Sequence, residues 1–341
     1  LPIFEVPVAG EEVERLEERR RLAGQELPRH RRALHLPPPA WVVHAAGSLP
    51  RNGRADEGRA GGPPAVLACR PMTEGKPQAG VPSGAPATPA EPISYSLPAT
   101  NAKVLELLAP HLGAAGTVLD IGAGEGYLAR RVHAAIRAGG HAARLEACDL
   151  FPDNFKVPEV PCRAIDLDGG LPLPDGSVDL AYSVEVLEHL EDQFAYLREV
   201  HRVLRPGGRF VVTTPNVLSL TSRVRTLLTG FPELYGPLPL RFDDPQHLGG
   251  HIHPVSYPFL AYMAEKAGFE VAGLATDRLK SGSLVALAFL WPLVAAASAL
   301  AGARVRRKEP AVWAENREHL ARLGTLRMLC GRTVILELVK A

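Results

Sequence analysis

Glu185, Glu188 and His189 stand in the order E-x-x-E-H, and a second histidine group, His247, His251 and His253, follows later in the chain. If Glu185 opens a helical turn, offsets of three and four bring the three side chains to one face. Two carboxylates and an imidazole converging there can bind a divalent ion such as Mg or Mn. They can equally position a substrate hydroxyl, with His189 as general base near neutral pH. Asp243 and Asp244 could add ligands, although a solvated loop explains them as well. His111, His133, His141, His201 and His319 read as surface or helix-face residues.

Chemistry of this kind needs a binding cleft, and Val118 to Tyr127 (V-L-D-I-G-A-G-E-G-Y) supplies one. Apolar residues from Thr117 to Ile121 read as a strand buried on both faces of a parallel sheet. Gly122, Gly124 and Gly126 then permit a tight turn with no Cβ facing a ligand. From Tyr127 to Ala138 the apolar spacing becomes helical. Strand, glycine turn and helix together make a nucleotide site at the carboxyl edge of a sheet. The spacing is G-x-G-x-G rather than the G-x-G-x-x-G of dinucleotide enzymes, which disfavours an NAD-dependent dehydrogenase. Asp120 and Glu125 would repel a diphosphate, but they suit a ligand that carries a sulfonium and an ammonium group.

Further segments keep the same order. Arg144 to Leu150 reads as a second strand ending in Asp149, and Arg163 to Pro174 carries Asp166 and Leu167. Ser177 to Leu190 is a fourth strand and its exit, and Leu204 to Asn216 a helix end, turn and fifth strand. Over roughly residues 93–276 these motifs resemble the class I S-adenosylmethionine-dependent methyltransferases of the small-molecule type. The resemblance implies a doubly wound, Rossmann-like α/β fold with a seven-stranded sheet. It implies that Asp120, Gly122, Ala123, Gly124, Glu125, Gly126, Tyr127 and Ser183 surround the cofactor. Asp149 with Leu150 would meet the ribose, and Asp166 with Leu167 the adenine. E-x-x-E-H, then T-P-N, then a later histidine is similar both to ubiquinone-pathway O-methyltransferases and to small-RNA 3′-terminal 2′-O-methyltransferases. The second likeness implies a metal held by Glu185, Glu188, His189 and a downstream histidine, for which His251 fits better than His253.

At 341 residues the chain has room for one or two domains. Its 46% hydrophobic and 22% charged content is that of an ordinary soluble globular protein. A formal net charge of +1 gives no electrostatic ground for nucleic-acid binding. The cysteines Cys69, Cys148, Cys162 and Cys330 lack C-x-x-C and zinc spacing, as isolated thiols in a reducing compartment would. Half of the 32 prolines fall before residue 99, so residues 1–92 read as a disordered Pro/Gly/Ala-rich extension. Met72 is the first methionine, and a start there would make residues 1–71 an untranslated upstream stretch. Glu11 to Arg21 is too charged for a secretory signal. Residues 93–341 form the expected methyltransferase domain. Its first helix is expected to be capped at Thr100 or Asn101 and stopped by Pro110, with Tyr95 near the substrate mouth or in a surface linker.

Phe269 to Ala275 and Arg332 to Val339 read as strands six and seven, which the resembling fold pairs antiparallel with the last inserted between five and six. An apolar helical insertion over residues 279–329 separates them. Within it, Leu284 to Ala303 carries no charge, and Arg304, Arg306, Arg307 and Lys308 follow. That length could span a bilayer. A single crossing, however, would strand the seventh strand on the wrong side. Two short helices broken at Pro292, lying on one leaflet with the basic cluster at anionic head groups, fit better. A lid over the substrate pocket or a dimer interface is the soluble alternative.

The expected activity is methyl transfer from S-adenosylmethionine to a small or lipid-linked acceptor, at oxygen, with His189 as base. The expected location is the cytoplasm, peripherally on the cytoplasmic membrane. Alternatives are a metal-dependent RNA 2′-O-methyltransferase, weakened by the near-neutral charge, and a non-catalytic cofactor-binding scaffold docked on a membrane.

Overall fold

The computed structural model describes residues 91–166, 170–238 and 250–341. Leu167, Asp243, Asp244, His247 and the extension up to residue 90 lie outside the described residues.

Five strands, β1 (Thr117–Ile121), β2 (Arg144–Asp149), β3 (Cys162–Ala164), β4 (Val178–Val184) and β5 (Leu204–Pro215), run parallel. β6 (Phe269–Ala275) closes one edge, and β7 (Thr333–Lys340) runs antiparallel between β5 and β6. The sheet order is β3-β2-β1-β4-β5-β7-β6, the inserted-last-strand topology expected above.

The period-two alternation of the strands feeds two cores. Val118, Leu180 and Tyr182 face one side, against Val104 and Leu108 of α1 (Pro98–Leu112) and Leu128, Val132 and Ile136 of α2 (Tyr127–Ala138). Leu119, Ile121, Ala181 and Phe210 face the other, against Leu197 and Val200 of α3 (Gln193–Val203). Leu260 and Ala264 of α5 (Tyr257–Lys266) complete that second core, while α4 (Leu220–Thr229) follows β5. Each fully buried aliphatic side chain contributes about 1.5–3 kcal/mol, so burial on both faces fixes the register of the central strands.

α1 begins at Pro98, two residues ahead of the expected cap, because proline at the first helical position forfeits no hydrogen bond. Asn101 is thereby buried, and its Nδ2 donates to Ser94 Oγ at 2.8 Å and Ser96 Oγ at 3.0 Å. Pro110 lies in the last turn and the helix runs on to Leu112.

The apolar insertion also differs from expectation. α6 (Ser281–Lys308) is one continuous helix through Pro292, followed by α7 (Pro310–Arg322) and α8 (Leu326–Cys330). Proline removes a single ladder bond, and the surrounding alanines and leucines are strong helix formers that carry the helix across it. Ser283 is the one buried residue of α6.

Candidate active site at the carboxyl edge

The carboxyl ends of β1, β4 and β5 meet the start of β7, where Pro215 pairs with Thr333. Residues just before β7 and just after β6 therefore share the edge with the exits of β1 and β4.

At the β1 exit, Gly122, Gly124 and Gly126 have φ of 75°, 54° and 90°. At Gly122 a Cβ would also run into the Val186 side chain, so both backbone angle and close approach require glycine there. Asp149 closes the loop from β2: its Oδ2 accepts the Gly124 N–H and its Oδ1 the Phe151 N–H, both at 2.8 Å. Asp120 is 4% exposed. Burial pushes its carboxyl up to about 7, the Tyr182 hydroxyl opposes the rise, and the Asp149 charge adds to it. Glu125 is held by the segment after β2 instead of facing the cleft. Its Oε2 pairs with Lys156 Nζ at 2.7 Å and accepts the Ile93 N–H at 2.8 Å, while its carbonyl accepts the Lys156 N–H at 3.0 Å. These bonds, Lys156 first, hold its carboxyl below the ordinary range.

The β4 exit is built differently. Glu185 has φ of 53°, left-handed for a side chain that disfavours it, and Leu187–His189 is a 3-10 turn. The chain is not helical at Glu185, so the three side chains do not share one helical face. Glu185 Oε1 accepts from Arg332 Nη1 at 3.0 Å, and its N–H donates to Thr213 Oγ1 at 2.9 Å. Burial raises the Glu185 carboxyl and Arg332 opposes the rise. Glu188 is fully buried, and neither carboxylate oxygen has a hydrogen-bond partner in good geometry. Burial pushes it up to about 8; its own backbone amide opposes this, the Glu185 charge adds to it, and Thr214 and Arg332 oppose it more weakly.

His189 Nδ1 lies 3.2 Å from the Gly250 carbonyl. A carbonyl only accepts, so Nδ1 carries the proton and Nε2 the lone pair in the neutral ring. The Glu188 carbonyl accepts the Ile252 N–H at 3.0 Å and the His253 N–H at 3.1 Å, which draws the later histidine segment against the turn. His251 then stands edge-on to His189 with ring centroids 4.9 Å apart, while His253 Nδ1 bonds the Leu190 carbonyl at 2.8 Å. One donor atom each from Glu188, His189 and His251 falls within 4.8 Å of the others. Burial, then the neighbouring His189, lowers the His251 pKa.

A cavity of about 290 Å³ lies between the two exits. Asp120, Gly122, Ala123, Gly124 and Tyr127 line one side and Glu185, His189 and His251 the other, with Tyr95 and Asn101 at the lead into α1. Glu125, Gly126, Asp149, Leu150, Asp166 and Ser183 stand outside that lining. Asp166 is exposed and its carbonyl accepts the Gly170 N–H at 2.9 Å, and Ser183 lies buried beside the Tyr196 hydroxyl. The residues that sequence reasoning passed over are Arg332 and Asp277, whose Oδ2 is 3.5 Å from Arg332 Nη1 and 3.1 Å from Thr100 Oγ1. Their signal was positional. Arg332 immediately precedes β7 and Asp277 follows β6, and in this topology both places lie at the site edge.

A seven-stranded sheet with an antiparallel last strand inserted, a glycine loop after β1 and an acidic end to β2 define the class I S-adenosylmethionine-dependent methyltransferase fold. The family model described as a methyltransferase domain matches residues 95–273, a little over half of the chain, and the chain belongs to that family. A probable S-adenosylmethionine-dependent methyltransferase of Mycolicibacterium smegmatis is 34% identical over 191 residues, covering 51% of this chain and 64% of that protein. The ubiquinone biosynthesis O-methyltransferase of Xanthomonas oryzae pv. oryzae is 32% identical over 130 residues, covering 35% of this chain and 52% of that protein. The chain thus spans between half and two thirds of the length of these relatives. A SAM-dependent methyltransferase structure from Archaeoglobus fulgidus matches with 19% identity and a TM-score of 0.41, covering 70% of this chain and 94% of its own.

Proposed function

We propose that the protein transfers a methyl group from S-adenosylmethionine to an oxygen of a small or lipid-linked acceptor. The observation that carries this reading is the single cavity shared by Asp120 and the glycine loop on one side and His189 and His251 on the other. The cosubstrate supplies an electrophilic methyl on a cationic sulfur. Asp120 suits it, because a buried carboxyl raised to about 7 gains most from a neighbouring cation. His189 Nε2 takes the acceptor's hydroxyl proton, and the Gly250 carbonyl keeps the imidazole in the tautomer that can do so. Asp149 holds the loop through Gly124. Aligning the two reactants across the cavity is the larger part of the task. The kinship with a ubiquinone-pathway O-methyltransferase supports oxygen as the acceptor atom.

Glu188, His189 and His251 would also fit a divalent metal, since their ligand atoms lie within 4.8 Å of one another and the buried Glu188 carboxylate lacks a hydrogen-bond partner in good geometry. Two imidazoles and one carboxylate suit manganese better than magnesium. A bound ion would lower the pKa of the acceptor hydroxyl and leave Glu185, paired to Arg332, to shape the rim.

α6 supports a location on a membrane surface. It is long and apolar enough to cross a bilayer, and Leu284, Val285, Phe289, Trp291, Leu293 and Leu300 are exposed. β7 returns to the sheet between β5 and β6, however, so both ends of α6 stay on one side. The helix lies along one leaflet, the cytoplasmic one, with Arg304, Arg306, Arg307 and Lys308 at anionic head groups. Binding of the full chain to anionic vesicles, reduced severalfold in Phe289→Ser/Trp291→Ser, is the expected result. Unchanged vesicle binding together with dimer loss would assign α6 to an interface instead.

The activity is tested by calorimetric titration of S-adenosylmethionine into the full chain, with and without manganese. Micromolar affinity that falls about tenfold or more in Asp120→Asn, the loss of one charge-assisted contact, is expected. A manganese heat lost in His251→Ala would add the metal. No cosubstrate binding by a folded chain would overturn the reading.

A further inference from the structure

A second cavity of about 160 Å³ is linked to the first through one ion pair. Arg332 lines it, and the Arg332 guanidinium bonds Glu185, which lines the first cavity. Asn216 shapes the wall: its Nδ2 donates to the Met328 and Gly331 carbonyls at 2.8 and 2.9 Å, and its Oδ1 accepts the Leu218 N–H at 3.0 Å. Four charged side chains line the space, namely Arg278, Lys280, Arg332 and Glu233. Arg332 is already met by Glu185 and Asp277 and Lys280 by Glu233, which leaves Arg278 as the cation in the lining without a carboxylate partner among the described residues. Lys280 is paired with Glu233 and also donates to Ser219 Oγ at 2.7 Å. Arg278 is exposed and has no ion-pair partner among the described residues. Leu234 in the same wall has φ of 70°, and it and Glu185 are the non-glycine residues with positive φ among the described residues. Strain of this kind persists where surrounding structure enforces it, commonly at ligand sites.

Resting on the methyltransferase reading, we infer that this cavity is the acceptor's phosphate subsite, with Arg278, Lys280 and Arg332 holding a phosphate ester whose hydroxyl reaches His189. Two guanidiniums favour the planar, bidentate geometry of a phosphoryl group over a point contact. A phosphomonoester offers three strong acceptor oxygens, one for each of Arg278, Lys280 and Arg332, whereas a carboxylate has two. The cavity also opens beside the start of α6, whose first residue follows Lys280. A phosphate with an apolar tail could therefore lie with its head in the cavity and its tail along that helix. The recognised chemistry is the phosphate ester, whether it comes from a soluble metabolite or from a lipid.

The test titrates the full chain with inorganic phosphate and, separately, with phosphatidylcholine vesicles carrying phosphatidic acid. S-adenosylmethionine is titrated in parallel as the control for folding and for the first cavity. Arg278→Gln, an exposed substitution, should weaken phosphate about tenfold, the loss of one charge-assisted contact, and leave the cosubstrate affinity intact. Glu185→Gln should tighten phosphate severalfold, because it leaves Arg332 with one carboxylate partner, Asp277, instead of two. Arg278-sensitive binding to free phosphate alone points to a soluble ester, and Arg278-sensitive binding to the vesicles points to a lipid. Phosphate and vesicle affinities that both ignore Arg278→Gln would overturn the subsite. Loss of cosubstrate binding alone would strike the methyltransferase reading and leave the phosphate result readable on its own.

Discussion

Asp120 at the end of β1 and Glu188 beyond the end of β4 are both buried carboxyls lifted toward neutrality, to about 7 and about 8. Their surroundings differ. Asp120 lines the cavity beside a loop whose amides are already bonded to β2, so a cationic ligand can reach it without disturbing the fold. Glu188 lies behind the cavity wall, where the Glu185 charge and, more weakly, Arg332 act on it and ligand atoms of His189 and His251 lie within 4.8 Å. In the proposed reading Asp120 meets the cationic cosubstrate, and Glu188 takes up either a proton or a metal. The same desolvation raises both carboxyls, and in the proposed reading it serves binding at one exit and protonation or coordination at the other.

The largest expected effect tests that difference through stability. Both folded pKa values exceed the unfolded ones, from 3.8 for Asp120 and 4.5 for Glu188. The folded state therefore holds extra protons inside those windows. The associated stability is fully present below about pH 4 and is lost as pH rises through about 7 and about 8. Urea unfolding of the free chain should show a decline of a few kcal/mol between pH 5 and 8.5, a pKa unit being worth about 1.4 kcal/mol. Glu188→Gln should flatten the upper part of the decline and Asp120→Asn the lower part. Manganese should restore stability near pH 8 in the parent chain but not in Glu188→Gln, while S-adenosylmethionine should act in both. A decline untouched by Glu188→Gln would mean that the carboxyl finds a partner in solution, and the contrast between the two exits would fail.

Much of the β1 half was legible in the sequence, because its information is local. Glycine at three alternate positions after an apolar run dictates a turn, and an acid closing the next strand falls at the turn because parallel strands end at one edge. The topology was legible for a similar reason: β6 and β7 keep their patterns across a long insertion. The β4 half was legible in composition but not in geometry. Spacing of E-x-x-E-H presumes a helix, whereas Glu185 adopts a left-handed conformation that no residue type announces. Arg332, its partner, is 147 positions away. Glu125 shows the converse. Its type suits a cationic ligand, yet Lys156, far along the chain, claims the carboxylate. α6 was legible in its extent but not in its continuity, because alanine-rich flanks outweigh the proline.

The smallest expected effect concerns how each exit manages its backbone. At β1 the left-handed positions are given to glycine, so Gly122→Ala incurs the full penalty, about 1–2 kcal/mol, and drives its new Cβ into Val186. At β4 the left-handed position is occupied by Glu185, and the strain is already present in the native chain. Glu185→Gly should relieve a comparable strain while losing a largely buried ion pair with Arg332 whose ends are each 14% exposed; Asp277 stays beside Arg332, so the lost charge-assisted contact costs about 1–3 kcal/mol rather than the full penalty of an orphaned charge. The two terms oppose, so urea unfolding should place Glu185→Gly within about 1 kcal/mol of the parent, well short of Gly122→Ala. Near-equality of the two variants, each clearly destabilised, would show that Arg332 stabilises the turn by more than the backbone strain costs. Glu185 would then be a structural clamp, and the strained exit would owe its shape to the pair rather than to the site it faces.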